Sequence, residues 1–263
     1  MHTRMLWHKA WLDTRWRFWV GLFVVVLAAC GVVLSYPRAL VVANALEQSP
    51  GVVLGAGPAA TRVEEALSLV RMYPAYVSSQ LYQQELPQLW CLFAMVIGAG
   101  GIVSQAARSG GLFTLALPVS RLEIVTARAG VGLFELLVIA LAPAVVVPAL
   151  SPVVGQSYHV SDGLVHAALL FGGGAVFFCF TFLMSSIFSD VWRPPLLMAA
   201  VFFSIAALRS IVPRFTSFTL APVITGASYF QTGSIPWTAL LLSMLTSLVF
   251  LWLAARNVAR RDF

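Results

Sequence analysis

Residues 215–255 run for 41 positions without one charged side chain. Five further uncharged runs precede them: 18–37 (20 residues), 86–107 (22), 136–161 (26), 163–189 (27) and 194–208 (15). A helix needs about 20 apolar residues to cross the hydrocarbon core of a bilayer. Charged residues make up 10% of the chain, against about 25% in soluble domains. A soluble globule could not cover itself with so few charges. The pattern predicts an all-α membrane protein, one transmembrane domain over 1–263, with six spans near 18–36, 87–105, 128–148, 165–187, 194–212 and 236–255.

The run at 215–255 is too long for one crossing and short for two. Its first half is rich in Ser, Thr and Gly and contains Pro222. That half is expected to form short, re-entrant helices packed within protein. Residues 1–17 carry Trp7, Trp11, Thr14 and Phe18 on one helical face, with Arg4, His8 and Arg15 opposite. They predict an amphipathic helix lying in the membrane interface. The segment 38–85 is expected as an outer loop. Within it Val63, Leu67 and Val70 recur at helical spacing, with Glu64, Glu65 and Arg71 elsewhere.

Orientation follows from the basic residues. With both termini inside, cytoplasmic segments hold 11 of the 16 Lys and Arg, and outer segments hold Arg38, Arg62, Arg71, Arg209 and Arg214. The net charge of +6 is spread among apolar runs, which argues for topology and against a nucleic-acid partner. The one lysine, Lys9, belongs to no Gly-Lys-Ser/Thr run, so the chain carries no phosphate loop of its own. Cys30, Cys91 and Cys179 lie far apart in apolar runs and offer no metal-ligand spacing. Glu64 and Glu65 stand at the wrong distance from Arg71 for an intramembrane protease of the Glu-Glu-x-x-x-Arg kind. No catalytic residue, metal site or bound cofactor is expected.

The inner loop, 104–128, is unlike a plain connector. Gly110 and Gly111 break the backbone, 112–117 is a short apolar run, and Pro118 ends it. Ser120 and Glu123 then form the S-x-x-E capping pattern that starts a helix. So apolar a short helix should press against another surface. Glu135 lies two turns beyond Arg128 inside the third span, where a carboxylate is costly and faces protein or water; a structural partner and a role in a substrate path both fit it. Asp190 and Arg193 flank a tight turn before Pro194 and Pro195. Gly98, Gly100 and Gly101, Gly172–174, and Phe177, Phe178, Phe180 and Phe182 suggest close helix packing, a subunit interface, or aromatic lining of a path.

The run SGGLFTLALPVSRLEIVTAR resembles the signature of type-2 ABC exporter permeases, in which S-G-x-L-x-x-L-x-L-P-V-S-R-x-E follows the second helix. The ending Arg260-Arg261-Asp262-Phe263 is similar to the usual ending of such permeases. The resemblance implies the membrane subunit of an exporter in the bacterial inner membrane, both termini cytoplasmic. It would pair as a homodimer or with a related permease. Two copies of a separate ABC ATPase would bind the ATP and Mg that this chain does not. The coupling helix would map to Arg108, Gly110, Gly111, Leu112, Phe113, Leu115, Leu117 and Pro118, within 104–123. The cargo would be hydrophobic or amphipathic. A non-transporting anchor or sensor of an ATPase complex would share the same docking helix.

Overall fold

A computed structural model describes residues 2–47, 58–99, 120–188, 190–211 and 221–260. Every element among them is helical. In chain order they are α1 (His2–Glu47), α2 (Pro58–Arg71), α3 (Tyr73–Val77), a π-helical stretch (Ser78–Glu85) and α4 (Leu86–Gly98). Then follow α5 (Arg121–Leu150), a 3-10 turn (Ser151–Val154), α6 (Val160–Ile187), α7 (Arg193–Ile211), α8 (Ala221–Ile224), α9 (Ala227–Thr232) and α10 (Trp237–Arg260). Four of these helices, α1, α5, α6 and α10, are long and apolar enough to cross a membrane, as suits a membrane-embedded protein.

The first helix departs from expectation. Residues 1–17 are not a separate interfacial helix, because α1 runs unbroken for 46 residues, roughly 69 Å at 1.5 Å per residue. One buried stripe explains the continuity. Leu6, Ala10, Thr14, Phe18, Val25, Ala29, Val32, Tyr36 and Ala43 recur at helical spacing and all face the bundle. Trp16 and Trp19 project outward instead. The same face is packed on both sides of position 18, so the helix has no break there. Pro37 lies inside the helix and withholds one backbone donor without ending it.

The segment 38–85 is likewise more ordered than a loop. Its first ten residues finish α1, and its amphipathic stretch is α2, with Leu67 buried and Glu64 exposed. From Tyr73 the backbone is helical without interruption through the π-helical stretch to Gly98.

The core forms where α6 packs on α4, α5, α7, α8 and α10, while α1 packs on α5 and α4. Three consecutive glycines let α6 do this. A Cβ on Gly172 would lie 2.8 Å from Leu240 of α10, and one on Gly173 would lie 2.8 Å from Val223 of α8. One on Gly174 would overlap the Trp90 ring of α4. Three neighbours thus approach over one helical turn. Ser243 of α10 uses the closeness, donating to the Gly173 carbonyl at 2.7 Å.

Gly98 meets Phe178 inside the chain, where a Cβ would sit 2.9 Å from the Phe178 carbonyl oxygen. It is therefore engaged within this protomer and not left for a subunit interface. Phe177, Phe178 and Phe182 are buried core, and Phe180 packs edge-on to Phe250 at 5.5 Å. Within the single chain they fill space in the core.

Before the last helix, α8 and α9 are short and broken as the sequence suggested. Gly226 joins them at φ +62°, and a Cβ there would strike the His166 ring, so glycine is required twice over.

Candidate functional site

The polar residues that the apolar core must accommodate gather at two levels of the bundle. The level nearer the start of α1 centres on Glu135, whose side chain is fully buried. Its Oε1 accepts a short hydrogen bond from Thr14 Oγ1 of α1. Its Oε2 is buried without a hydrogen-bond partner. The Arg17 guanidinium, one turn past Thr14, lies near enough to interact with the carboxyl by charge. Arg17 Nη1 also donates to the Val96 carbonyl of α4 at 3.0 Å. One turn of α1 thereby joins α4 and α5. Trp90 Nε1 adds a second tie, donating at 3.0 Å to the carbonyl of Leu136.

The sequence puts Glu135 well inside the third span. The structure sets it level with Thr14 and Arg17, just before the uncharged run that starts at Phe18. Residues 4–14 of α1 and 121–135 of α5 then form a parallel helix pair that continues the bundle beyond its uncharged zone. Leu6 and Ala10 face Ile124 and Ala127, and the Trp7 ring covers Gly130. Lys9, Asp13 and Arg128 line a small cleft of about 40 Å³ between the two helices.

The capping pattern at the start of α5 is fully formed. Ser120 Oγ accepts from the Glu123 amide at 3.2 Å, and Glu123 Oε2 accepts from the Ser120 amide at 3.2 Å. Two free donors at the helix start are satisfied reciprocally. The residues before it, Arg108, Gly110, Gly111, Leu112, Phe113, Leu115, Leu117 and Pro118, lie outside the described residues. Asp190 acts within its turn, accepting from the Trp192 amide at 3.0 Å and pairing with Arg193 at 3.5 Å.

The second level, toward the far end of α1, is aromatic. All six tyrosines of the chain, with His166, form one run of ring contacts. It passes from Tyr76 to Tyr36 (5.3 Å), Tyr73 (4.9 Å), Tyr158 (6.5 Å), Tyr82 (6.2 Å), His166 (4.4 Å, stacked) and Tyr229 (5.9 Å). Hydroxyl bonds anchor two of its members: Tyr73 with Ser151 at 2.7 Å and Tyr76 with Ser35 at 3.0 Å. The Tyr82 hydroxyl is buried near that of Tyr158, with no bond of standard geometry between them. Burial pushes the phenols of Tyr73, Tyr82 and Tyr158 above the usual tyrosine range, and the Ser151 bond opposes this at Tyr73. Along α1, Thr14 and Tyr36 are 22 residues apart, roughly 33 Å. The two polar levels thus bracket the uncharged zone.

Sequence reasoning singled out Glu135, Ser120 and Glu123 but not Thr14 as a buried donor, and not the tyrosine run. Among the described residues no group of His, Cys, Asp or Glu could hold a metal ion. Comparisons with family models, with curated proteins and with solved structures find no match.

Proposed function

We propose that this chain is the membrane subunit of an ATP-driven exporter of the type-2 ABC permease class, moving a hydrophobic or amphipathic cargo outward from a bacterial inner membrane. The observation that carries the reading is the sequence run SGGLFTLALPVSRLE, which ends on the two residues that close the capping box of α5. In this reading α1, α4, α5, α6, α7 and α10 make six crossings with both termini cytoplasmic, and α8 and α9 re-enter before the last. The phosphate loop that the chain lacks belongs to a separate ATPase, two copies of which dock on 104–123 of a permease pair.

The capped, parallel pair of α1 and α5 suits this role. A capped helix start does not fray, so a displacement applied at Ser120 moves the first turns of α5 as a body. Thr14 and Glu135 then pass that displacement to α1, and Arg17 passes it to α4.

Purification of the full chain from its native membrane tests the assignment. An ABC ATPase should co-purify, and Leu112→Asp with Leu117→Asp should abolish its recovery and cargo-stimulated ATP hydrolysis while the chain still inserts. Repeated recovery without any ATPase, or full activity in the double variant, would remove the proposal.

A further inference from the structure

Past Arg38 the first helix continues as an apolar segment, 39–46, for about 12 Å beyond the uncharged run 18–37. A bilayer that covers 18–37 leaves this extension outside the hydrocarbon, where its apolar surface needs another cover. α2 stands beside it, and between them lies a cleft of about 650 Å³, within the range of small-molecule sites. Val42 and Leu46 of α1 face Leu67 and Val70 of α2 across it. Polar groups cluster at the end nearer the membrane, where Arg38 and Tyr76 line the cleft. Among the described residues that line it, Arg38 is the one charged group and no carboxylate is present.

We infer that this cleft holds the aliphatic tail of an anionic amphiphile whose head group rests on Arg38. The chemistry is graded along its length, cationic at the membrane surface and aliphatic beyond. Beyond the polar end, where Ser35 and Gln80 join Arg38 and Tyr76, the walls are Ala, Val and Leu, and a peptide's backbone amides would find no partner there. A hydrocarbon tail brings no such groups. Arg38 also stands at the end of the uncharged run, the depth at which lipid head groups lie. An amphiphile of the outer leaflet keeps its head at that depth while its tail turns out of the bilayer into the cleft.

The test uses the full chain in phosphatidylcholine vesicles and a long-chain fatty acid carrying a diazirine at its terminal carbon. Photolabelling should saturate and map to 38–46 and 66–70. Val42→Trp should block it; Val42 is 58% exposed, so the larger ring fills the cleft without entering the core. Arg38→Gln should weaken labelling by the acid up to about fivefold, the scale of one exposed ion pair, and leave labelling by the matching fatty alcohol unchanged. Phosphatidylglycerol added to the vesicles should compete, because the occupant is a lipid of the outer leaflet; labelling of unchanged extent in its presence would overturn the inference. Labelling that does not saturate, spreads evenly over the lipid-facing helices, or ignores both substitutions would overturn the inference. No ATPase is required, so failure of the exporter assignment would leave these results unchanged.

Discussion

The Thr14 hydroxyl and the Glu135 carboxyl meet across the interface of α1 and α5, although 121 residues separate them in the chain. The carboxyl is fully buried and its second oxygen has no hydrogen-bond partner. Thr14→Val keeps the shape and removes the donor. It should lower stability by about 1–3 kcal/mol, the cost of stranding a buried polar group. Glu135→Gln retains an acceptor for Thr14 and should cost less. Thermal unfolding of the purified variants in detergent compares them; equal stability of Thr14→Val and the parent would show that the bond contributes nothing.

The Ser120 cap predicts a local effect. Ser120→Ala should cost about 1 kcal/mol and speed amide exchange over Leu122, Glu123 and Ile124. Ser120→Thr should restore most of the protection. Exchange that is the same in both variants would mean the first turn is held by packing and not by its cap.

Two glycines give opposite expectations for one substitution. Gly174→Ala forces a methyl into the Trp90 ring and should destabilise by about 1–3 kcal/mol, as overpacking does. Gly31 on α1 has nothing within 4 Å of a new methyl. Gly31→Ala should be neutral, or stabilising by about 0.5–1 kcal/mol through the lost backbone entropy of a helical glycine. Melting temperatures of the pair decide the matter.

The tyrosine run predicts an alkaline limit. Tyr82 and Tyr158 are buried, and their folded-state phenols ionise above the unfolded value near 10. Above about pH 10 the unfolded chain loses protons that the folded chain keeps, so stability must fall with rising pH. Below that value the contribution is fully present. Tyr82→Phe should flatten the decline, measured as unfolding free energy against pH with tyrosinate absorbance followed in parallel. An unchanged slope would place the loss elsewhere.

Much of this architecture was legible in the sequence because apolar length and charge spacing are local signals. The uncharged runs locate the four long helices, the S-x-x-E spacing locates the start of α5, and Val63, Leu67 and Val70 announce α2. What was hidden depends on contacts between distant segments. Nothing near Arg17 says that α1 continues through it, because the reason is a partner face on α5. Thr14 reads as a neutral residue on a tryptophan-rich face until Glu135 appears opposite. The tyrosine run left one unread trace: Tyr36, Tyr73, Tyr76, Tyr82 and Tyr158 all fall in segments assigned to the outer side or its border, and Tyr229 falls in the broken stretch before the last span.

The uninterrupted first helix is a rod without an elbow on the inner side of Pro37. A tilt imposed on its first three turns cannot be absorbed at the membrane surface and must swing its far end the opposite way. That far end is one wall of the cleft beside Arg38, so the gap between the α1 extension and α2 would widen or narrow with every tilt. Movement at the start of α1 would thereby change the width of that cleft, with no signal travelling through the side chains between.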